Sequence, residues 1–362
     1  MSSPSVPQAY GRARELAEKR GDERQLFQAI YGMWQNTVAL GQILSARPLS
    51  DRLLQVGRGA DDGLRLQAHH SAWTTCLFAG EPAAAREHCK VGRQIYDPER
   101  HSLHRRLYGG HDPGVCAGYM SGQAHWLLGY PQKGLVIASD ALALAEQIGH
   151  SFSQTTALVM NALLHLDRAE PEMALQRLEA AEALAAEQRL GLVLEPQLLR
   201  GAVLTEQGAF GEAAACLREG LSGRPGAIRL RPYGLARLAE ALARQGEHGV
   251  ALMAVRDGLE EQERTGQRRW EPELHRLEGI ALFGLNRIEE SQSALEEALC
   301  VARRQEAKSY ELRAAASLAR LWGEQGRRAE ARDLLAPVYA WFTEGFDTPD
   351  LKKAKALLDE LA

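Results

Sequence analysis

Residues 162–185 read ALLHLDRAEPEMALQRLEAAEALA, and this stretch contains the pattern that decides the fold. Ala169 stands at a short turn, Pro171 follows two residues later, and a small residue, Ala174, stands five residues after the turn. Proline is favoured in the first turn of a helix, because its missing N–H would have no partner there. Beyond Ala174, apolar residues recur at steps of four and three, which is typical of an amphipathic helix. The stretch therefore predicts two helices joined by a tight turn.

The same pattern recurs along the chain, which has 362 residues. Each occurrence has a turn residue, here called the anchor, and a small residue five positions later. Successive anchors are 38 to 40 residues apart, apart from one spacing of 49, and they are Gly41, Gly80, Gly129, Ala169, Gly208, Gly246, Asn286 and Gly326. Periods of this kind are typical of tetratricopeptide-like helix pairs. We therefore predict an all-α fold, a right-handed superhelix of about eight such pairs with a C-terminal capping helix.

The predicted organisation is a repeat array over residues 1–346 followed by the capping helix over residues 347–362. The long spacing accommodates an inserted segment at about 96–113, whose turn-forming, His- and Arg-rich sequence predicts a loop. At the end of this segment we expect Asp112 to cap a helix that begins with Pro113.

Small residues recur where the two helices of a pair should approach closely. Seven positions before the anchor, six of the eight units carry Gly or Ala in the first helix, facing the small residue of the second. We expect a larger side chain at Gly208 or Ala213 to overpack this contact. Trp34 and Trp73 occupy the equivalent position in the first two units. Together with Trp126 they could form an aromatic cage for a cation, but packing in the core between repeats is the favoured interpretation.

Composition excludes several classes of partner. The formal net charge is −4, so the basic excess of a nucleic-acid-binding protein is lacking. No apolar run is long enough to cross a membrane, and the N-terminus does not resemble a signal peptide. The five cysteines include no C-x-x-C pair, which is typical of free thiols in a reducing compartment. We expect a cytoplasmic protein with no nucleic-acid or membrane partner.

Catalytic motifs are missing from the sequence. It contains no H-E-x-x-H, G-x-S-x-G or G-x-G-x-x-G, and we expect neither an enzyme nor a bound cofactor. Histidines and cysteines do gather around the inserted segment, which raises the alternative of a metal site. Their spacing is irregular, so a polar loop that folds over the groove is favoured over a metal site. The residues are His88, Cys89, His101, His104, His111, Cys116 and His125.

The concave face of such a superhelix is formed by the first helix of each pair and is its usual binding surface. Counting back from the anchors predicts which side chains line it. In the first three units they are polar and aromatic, which suits a peptide or a small polar ligand, and they are Gln28, Tyr31, Gln35, Gln67, His70, Thr74, Tyr119, Gln123 and Trp126. In the later units the surface is more charged, with Tyr233, Glu240, Glu273, Arg276, Arg313 and Arg320.

Two further stretches are candidates for ligand contact. The first is the inserted segment, with His101, His104, Tyr108, His111 and Asp112. For Asp112 and its neighbours, a structural role in starting the next helix is favoured. The second is the Arg-rich stretch 224–232, which could bind phosphate or an acidic partner, although a solvated loop is favoured.

Several stretches resemble one bacterial family. They include AYGRARELAEKRGD at 9–22, GEPAAAREHCKVGRQIYDPERH at 80–101, YGGHDPGVC at 108–116 and, most specifically, WFTEGFDTPDLKKAKALLDEL at 341–361. These stretches resemble the C-terminal tetratricopeptide-repeat region of proteins that join a class III adenylate or guanylate cyclase domain to a P-loop signalling ATPase. The resemblance implies an array that senses a ligand or partner and controls an ATPase or a cyclase.

The chain departs from the full architecture of that family. It has no G-x-x-x-x-G-K-[ST] phosphate loop and no room for a cyclase domain, so neither activity is carried over. We expect either an excised C-terminal region or a stand-alone descendant that works as a protein-interaction or ligand-sensing module, with a protein or peptide partner. The first alternative is a small-molecule sensor with its pocket under residues 96–113, and the second is an enzyme or metal site that uses the His/Cys cluster.

Overall fold

The structure is a computed structural model that describes residues 5–191, 196–222 and 229–362. Within these ranges the chain forms nineteen α-helices and no β-strand. The helices are arranged in pairs that stack into a right-handed superhelix, as the sequence predicts. None of the described helices is both long and apolar enough to cross a membrane.

The N-terminal half contains a leading helix and four helix pairs, with one short helix inserted. In chain order these are α1 (Ser5–Arg20), α2 (Glu23–Ala39), α3 (Ile43–Gly57), α4 (Asp62–Phe78), α5 (Pro82–Ile95), α6 (His104–Leu107), α7 (Pro113–Leu127), α8 (Pro131–Ile148), α9 (Ser151–Asp167) and α10 (Pro171–Glu187). The short α6 lies within the inserted segment.

The C-terminal half contains four more pairs and a final helix. These are α11 (Pro196–Glu206), α12 (Phe210–Leu221), α13 (Arg231–Arg244), α14 (His248–Thr265), α15 (Glu271–Gly284), α16 (Ile288–Arg304), α17 (Lys308–Glu324), α18 (Arg328–Ala340) and α19 (Pro349–Glu360). The final helix packs its apolar stripe, which includes Leu351 and Ala354, on the end of the array.

The turn inside each pair has the same backbone conformation. All eight anchors have a positive φ, between 58° at Ala169 and Asn286 and 84° at Gly129, Gly208 and Gly246. In this conformation a Cβ crowds the following carbonyl oxygen, so glycine adopts it most easily. The anchors therefore end the first helix of each pair and reverse the chain within three residues.

Close approach of the two helices within a pair is confirmed. A Cβ added to Gly134 would lie 2.6 Å from the carbonyl oxygen of Gly122, and one added to Gly201 would lie 3.2 Å from that of Ala213. Ala213 is fully buried at this contact, so the overpacking expected there stands. The same reasoning is wrong for Gly208, because a Cβ at that position meets nothing within 4 Å. A substitution at Gly208 is instead disfavoured by the backbone, because the φ of this residue is +84°.

The three tryptophans singled out by the sequence belong to the core. Trp34, Trp73 and Trp126 are 3%, 0% and 2% exposed. The guanidinium carbon of the protein's own Arg313 lies 5.2 Å from the centroid of the Trp126 ring. Packing in the core is thus confirmed over an open cage.

The superhelix turns back on itself, so that distant repeats touch. The backbone N–H of Arg268 donates to the carbonyl of Phe78 at 2.9 Å, and the Ser309 hydroxyl donates to the carbonyl of Trp126. Further along, the backbone N–H of Lys133 donates to the Glu344 carboxylate at 2.9 Å. As a result, the C-terminal pairs cover part of the concave face of the N-terminal pairs.

Candidate functional site

The N-terminal part of the concave face is closed. We predicted nine polar or aromatic residues there as an open binding surface, and the structure corrects this. Gln28 and Gln35 are partly exposed, whereas the other seven are buried, namely Tyr31, Gln67, His70, Thr74, Tyr119, Gln123 and Trp126. Two elements cover them: the inserted segment 96–113 and the C-terminal repeats.

The inserted segment lies in the groove of the first two pairs. The Tyr108 ring is 3% exposed and packs edge-on against Tyr31 with the ring centroids 5.1 Å apart. The Nδ1 atom of His104 lies 2.9 Å from the Gln67 amide nitrogen, and His101 is 2% exposed. Between α5 and α7 the segment forms turns and the single helical turn of α6. The side chains of the inserted segment fill the space where the alternative prediction placed a small-molecule pocket.

Asp112 caps a helix, as expected. Its carboxylate accepts hydrogen bonds from the backbone N–H groups of Gly114 at 2.9 Å and Val115 at 3.1 Å, and Pro113 is the first residue of α7. The backbone N–H of Asp112 itself donates to the Ser153 hydroxyl at 2.8 Å. Because the side chain is 1% exposed, the geometry supports its structural role rather than ligand contact.

Burial of the histidines in this region should make the protein sensitive to mild acid. Burial is the largest cause that lowers the pKa of His69 and of His104 to about 4. Since an imidazole in the unfolded chain titrates near 6.5, the unfolded state binds more protons between these values. The free energy of unfolding should therefore be fully maintained above pH 6.5 and should fall as the pH drops towards 4. The slope should stay below about 1.4 kcal/mol per pH unit for each group, because both side chains are only half-buried and solvent screens part of the effect.

Urea unfolding at a series of pH values measures this dependence. In His104→Gln the number of protons taken up on unfolding should fall by about one, which reduces the pH dependence, since the variant has no imidazole at that position to titrate. An unchanged slope in His104→Gln would show that His104 is not one of the groups responsible.

A second part of the concave face is open. A cavity of about 590 Å³ lies between α13, α15, α17 and α19, within the usual size range of ligand pockets. Five of the six predicted C-terminal residues line it, and they are Glu240, Glu273, Arg276, Arg313 and Arg320. The sixth, Tyr233, is buried against Trp270 with the ring centroids 5.7 Å apart, and it does not line the cavity.

Ion pairs hold much of the cavity wall in place. Arg237 pairs with Glu206 at 2.5 Å, Arg276 with Glu273 at 2.5 Å, and Arg313 with Asp350 at 2.7 Å. Burial by itself would raise the pKa of Glu273, but Arg276, followed by Arg313 and Arg237, outweighs it and lowers that pKa to about 2. The ion-paired side chains are therefore held in place by their partners and form a fixed part of the cavity wall.

Three further cations in the lining have no such partner. Within the described part of the chain, no ion pair is formed by Arg244, Arg320 or Lys353. Apolar side chains, including Phe283 and Leu295, form another part of the wall. The cavity can therefore accept a ligand that has both a carboxylate and an apolar group, through charge-assisted hydrogen bonds and apolar contact.

Sequence reasoning missed several lining residues, namely Glu206, Arg237, Arg244, Glu324, Asp350 and Lys353. Arg237 and Arg244 could have been found, because they stand three before and four after Glu240 and so share its helix face. Asp350 and Lys353 belong to the capping helix, and nothing local indicates that this helix closes one side of the cavity. In the Arg-rich stretch, residues 224–228 lie outside the described ranges.

A comparison with proteins of known sequence found a distant relative. The chain is 27% identical over 290 residues to an uncharacterized protein of Rhizobium meliloti (strain 1021). The match covers 77% of this chain but only 28% of the relative. No family model matches the chain.

Solved structures share the fold over nearly the whole chain. A Rap protein complexed with Competence and Sporulation Factor superposes with a TM-score of 0.60 at 12% identity, covering 99% of this chain and 98% of that one. NprR in complex with its cognate peptide NprX superposes with a TM-score of 0.57 at 14% identity, covering 92% of this chain and 96% of that one. The Cut9–Hcn1 hetero-tetramer of the APC/C superposes with a TM-score of 0.59 at 12% identity, covering 97% of this chain and 58% of the matched one. At these identities the likeness establishes the α-solenoid fold.

Proposed function

We propose that this chain is a regulatory interaction module, and not an enzyme, that binds a peptide segment in the cavity between α13, α15, α17 and α19. The observation that carries the proposal is the lining of that cavity. Paired charges fix its shape, while Arg244, Arg320 and Lys353 remain available for a carboxylate. A peptide supplies carboxylates and apolar side chains together, so it matches both parts of the wall.

The solved structures with this fold support a peptide ligand. The NprR structure holds its cognate peptide NprX, and the Rap structure holds Competence and Sporulation Factor. The present chain has an open cavity on its concave face, the face that repeat superhelices commonly use for binding.

The module would act on a signalling ATPase or a nucleotide cyclase. Two observations support this part of the proposal: the sequence resemblance to repeat regions joined to such domains, and the relative that is much longer than the match. A pull-down from a bacterial lysate with wild-type and Arg320→Ala chains as baits tests it. Recovery of an ATPase or cyclase by the wild type supports the regulatory role, and recovery of neither contradicts it.

Peptide binding is tested with a library of short labelled peptides, made in matched sets with free and amidated C-termini. We expect binders to be enriched in carboxylates, and Arg320→Ala to weaken the selected peptides at least about tenfold, or about 1.4 kcal/mol, because a charge-assisted hydrogen bond is lost. Fluorescence polarisation measures the dissociation constants.

Arg332→Ala is the matched control, since Arg332 is an exposed arginine of α18 that does not line the cavity. It should bind like the wild type. If Arg320→Ala and Arg244→Ala also bind like the wild type, the peptide does not occupy this cavity.

A further inference from the structure

Three side chains that can bind a metal converge beneath the inserted segment. They are His70 of α4, His111 of the inserted segment and Cys116 of α7. One ring nitrogen of each histidine and the Sγ atom of Cys116 all lie within 4.8 Å of one another. His70 is 2% exposed and Cys116 is 1% exposed, so the three groups meet in the interior. None of them is used by the proposed peptide cavity.

The hydrogen bonds of His111 leave one ring nitrogen free. Its Nδ1 atom lies 3.2 Å from the carbonyl oxygen of Gly109, which can only accept, so Nδ1 carries the proton. The Nε2 atom is buried and has no hydrogen-bond partner among the described residues. A buried nitrogen without a partner is costly in a folded protein, and a bound cation would use its lone pair.

His70 is oriented in the same way. The side-chain amide of Gln67 lies between two histidines. Its nitrogen donates to His104 Nδ1 at 2.9 Å, and its oxygen, which can only accept, lies 3.0 Å from His70 Nδ1. The Tyr31 hydroxyl lies 3.0 Å from the same Nδ1 atom and can accept as well as donate, whereas Gln67 Oε1 can only accept. We therefore assign the His70 proton to Nδ1, which leaves the lone pair on Nε2. Histidines that bind metals usually donate their other ring N–H to an oxygen in this manner.

The two imidazoles and the thiol of the cluster are uncharged near pH 7 before an ion binds. Burial lowers the pKa of His111 to about 4, so its ring is neutral near pH 7. Burial raises the pKa of the Cys116 thiol to about 12, and it outweighs the hydrogen bonds with Tyr119 and Trp73 and the positive charge of Arg229, which all lower that pKa. The Cys116 thiolate, once formed, would offset part of the charge of the ion and of Arg229.

We propose that His70, His111 and Cys116 form a Zn²⁺ site that ties the inserted segment to α4 and α7. Two imidazole nitrogens and a thiolate are typical Zn²⁺ ligands, whereas Mg²⁺ and Ca²⁺ require oxygen donors. With Zn–N of about 2.1 Å and Zn–S of about 2.3 Å, the three atoms must move inward slightly from their present separations. Binding converts Zn²⁺ and the Cys116 thiol into a zinc thiolate and one released proton.

The site is tested on the full chain, purified in the presence of a chelator and then titrated with Zn²⁺ and, separately, with Co²⁺. We expect one equivalent to bind, and Co²⁺ to produce the charge-transfer absorption of a cobalt–thiolate bond. His111→Ala and Cys116→Ser should each weaken Zn²⁺ binding at least about 100-fold, since even second-shell changes cost 10–100-fold. Circular dichroism establishes that each variant is folded.

His88→Ala is the matched control. The Nδ1 atoms of His88 and His69 lie 2.9 Å apart, so this half-buried pair is the competing place for a metal. The control should retain one tight equivalent and the cobalt–thiolate band. Loss of binding in His88→Ala with retention in His111→Ala would overturn the proposal, as would metal binding without a charge-transfer band.

A second measurement does not depend on the cysteine variant being folded. Zn²⁺ should slow amide hydrogen exchange of residues 96–113 in the wild type and leave it unchanged in His111→Ala. Equal exchange with and without Zn²⁺ in the wild type would show that the ion does not fasten this segment.

Discussion

Replacing Asp167 with alanine is expected to lower the free energy of unfolding by about 3–5 kcal/mol. The Asp167 carboxylate accepts a hydrogen bond from Arg269 at 2.8 Å, and the two side chains are 5% and 0% exposed. Arg269 also donates to the side-chain oxygen of Gln123, and its guanidinium carbon lies 5.1 Å from the ring of Trp270. The variant would leave a buried guanidinium without its counter-charge, which is among the costliest single changes in a protein.

Urea unfolding of matched variants measures this effect. Arg287→Ala removes an exposed ion pair with Glu290, whose side chains are 39% and 57% exposed, and should cost less than about 1 kcal/mol. Asp167→Leu combined with Arg269→Met should regain much of the loss, because an apolar pair can replace a buried ion pair. A cost for Asp167→Ala no larger than that of Arg287→Ala would show that the contact between Asp167 and the segment before α15 adds little.

Replacing Trp73 with alanine is expected to cost about 3–5 kcal/mol. Trp73 is fully buried, its ring lies 4.9 Å from that of His70, and its indole N–H points to the Cys116 sulfur at 3.4 Å. The opposing helix makes room for it with Gly92, where an added Cβ would lie 2.4 Å from the indole ring. Truncation would leave a cavity that surrounding helices, held in their pairs, cannot close.

The complementary change at Gly92 tests this packing directly. Gly92→Ala should cost about 1–3 kcal/mol by overpacking, and Trp73→Phe should reduce that cost, because the smaller ring frees space at the same place. The measured quantity is the coupling energy of the double-mutant cycle. Trp341→Ala, at a side chain that is 37% exposed, serves as the control and should cost less than Trp73→Ala. Strict additivity of the Gly92 and Trp73 changes would mean that the two residues do not share one packing site.

The sequence by itself determined the helix pairs. Positive φ at the anchors, proline at helix starts such as Pro131 and Pro171, and the cap at Asp112 are all decided within a few residues. Small residues at Gly122 and Gly134 are equally informative, because the two helices that they allow to approach are neighbours in sequence. Five lining residues of the open cavity also followed from counting back along single helices.

Only the tertiary structure decided which part of the concave face is open. Arg269 lies outside the regular helices and meets Asp167 across 102 residues, and Asp350 of the last helix pairs with Arg313. Likewise, His70 is brought to His111 by the path of the inserted segment. These contacts depend on small rotations between successive pairs that accumulate along the superhelix. A period of about 40 residues specifies how each pair packs on the next, but the summed rotation decides which distant surfaces meet.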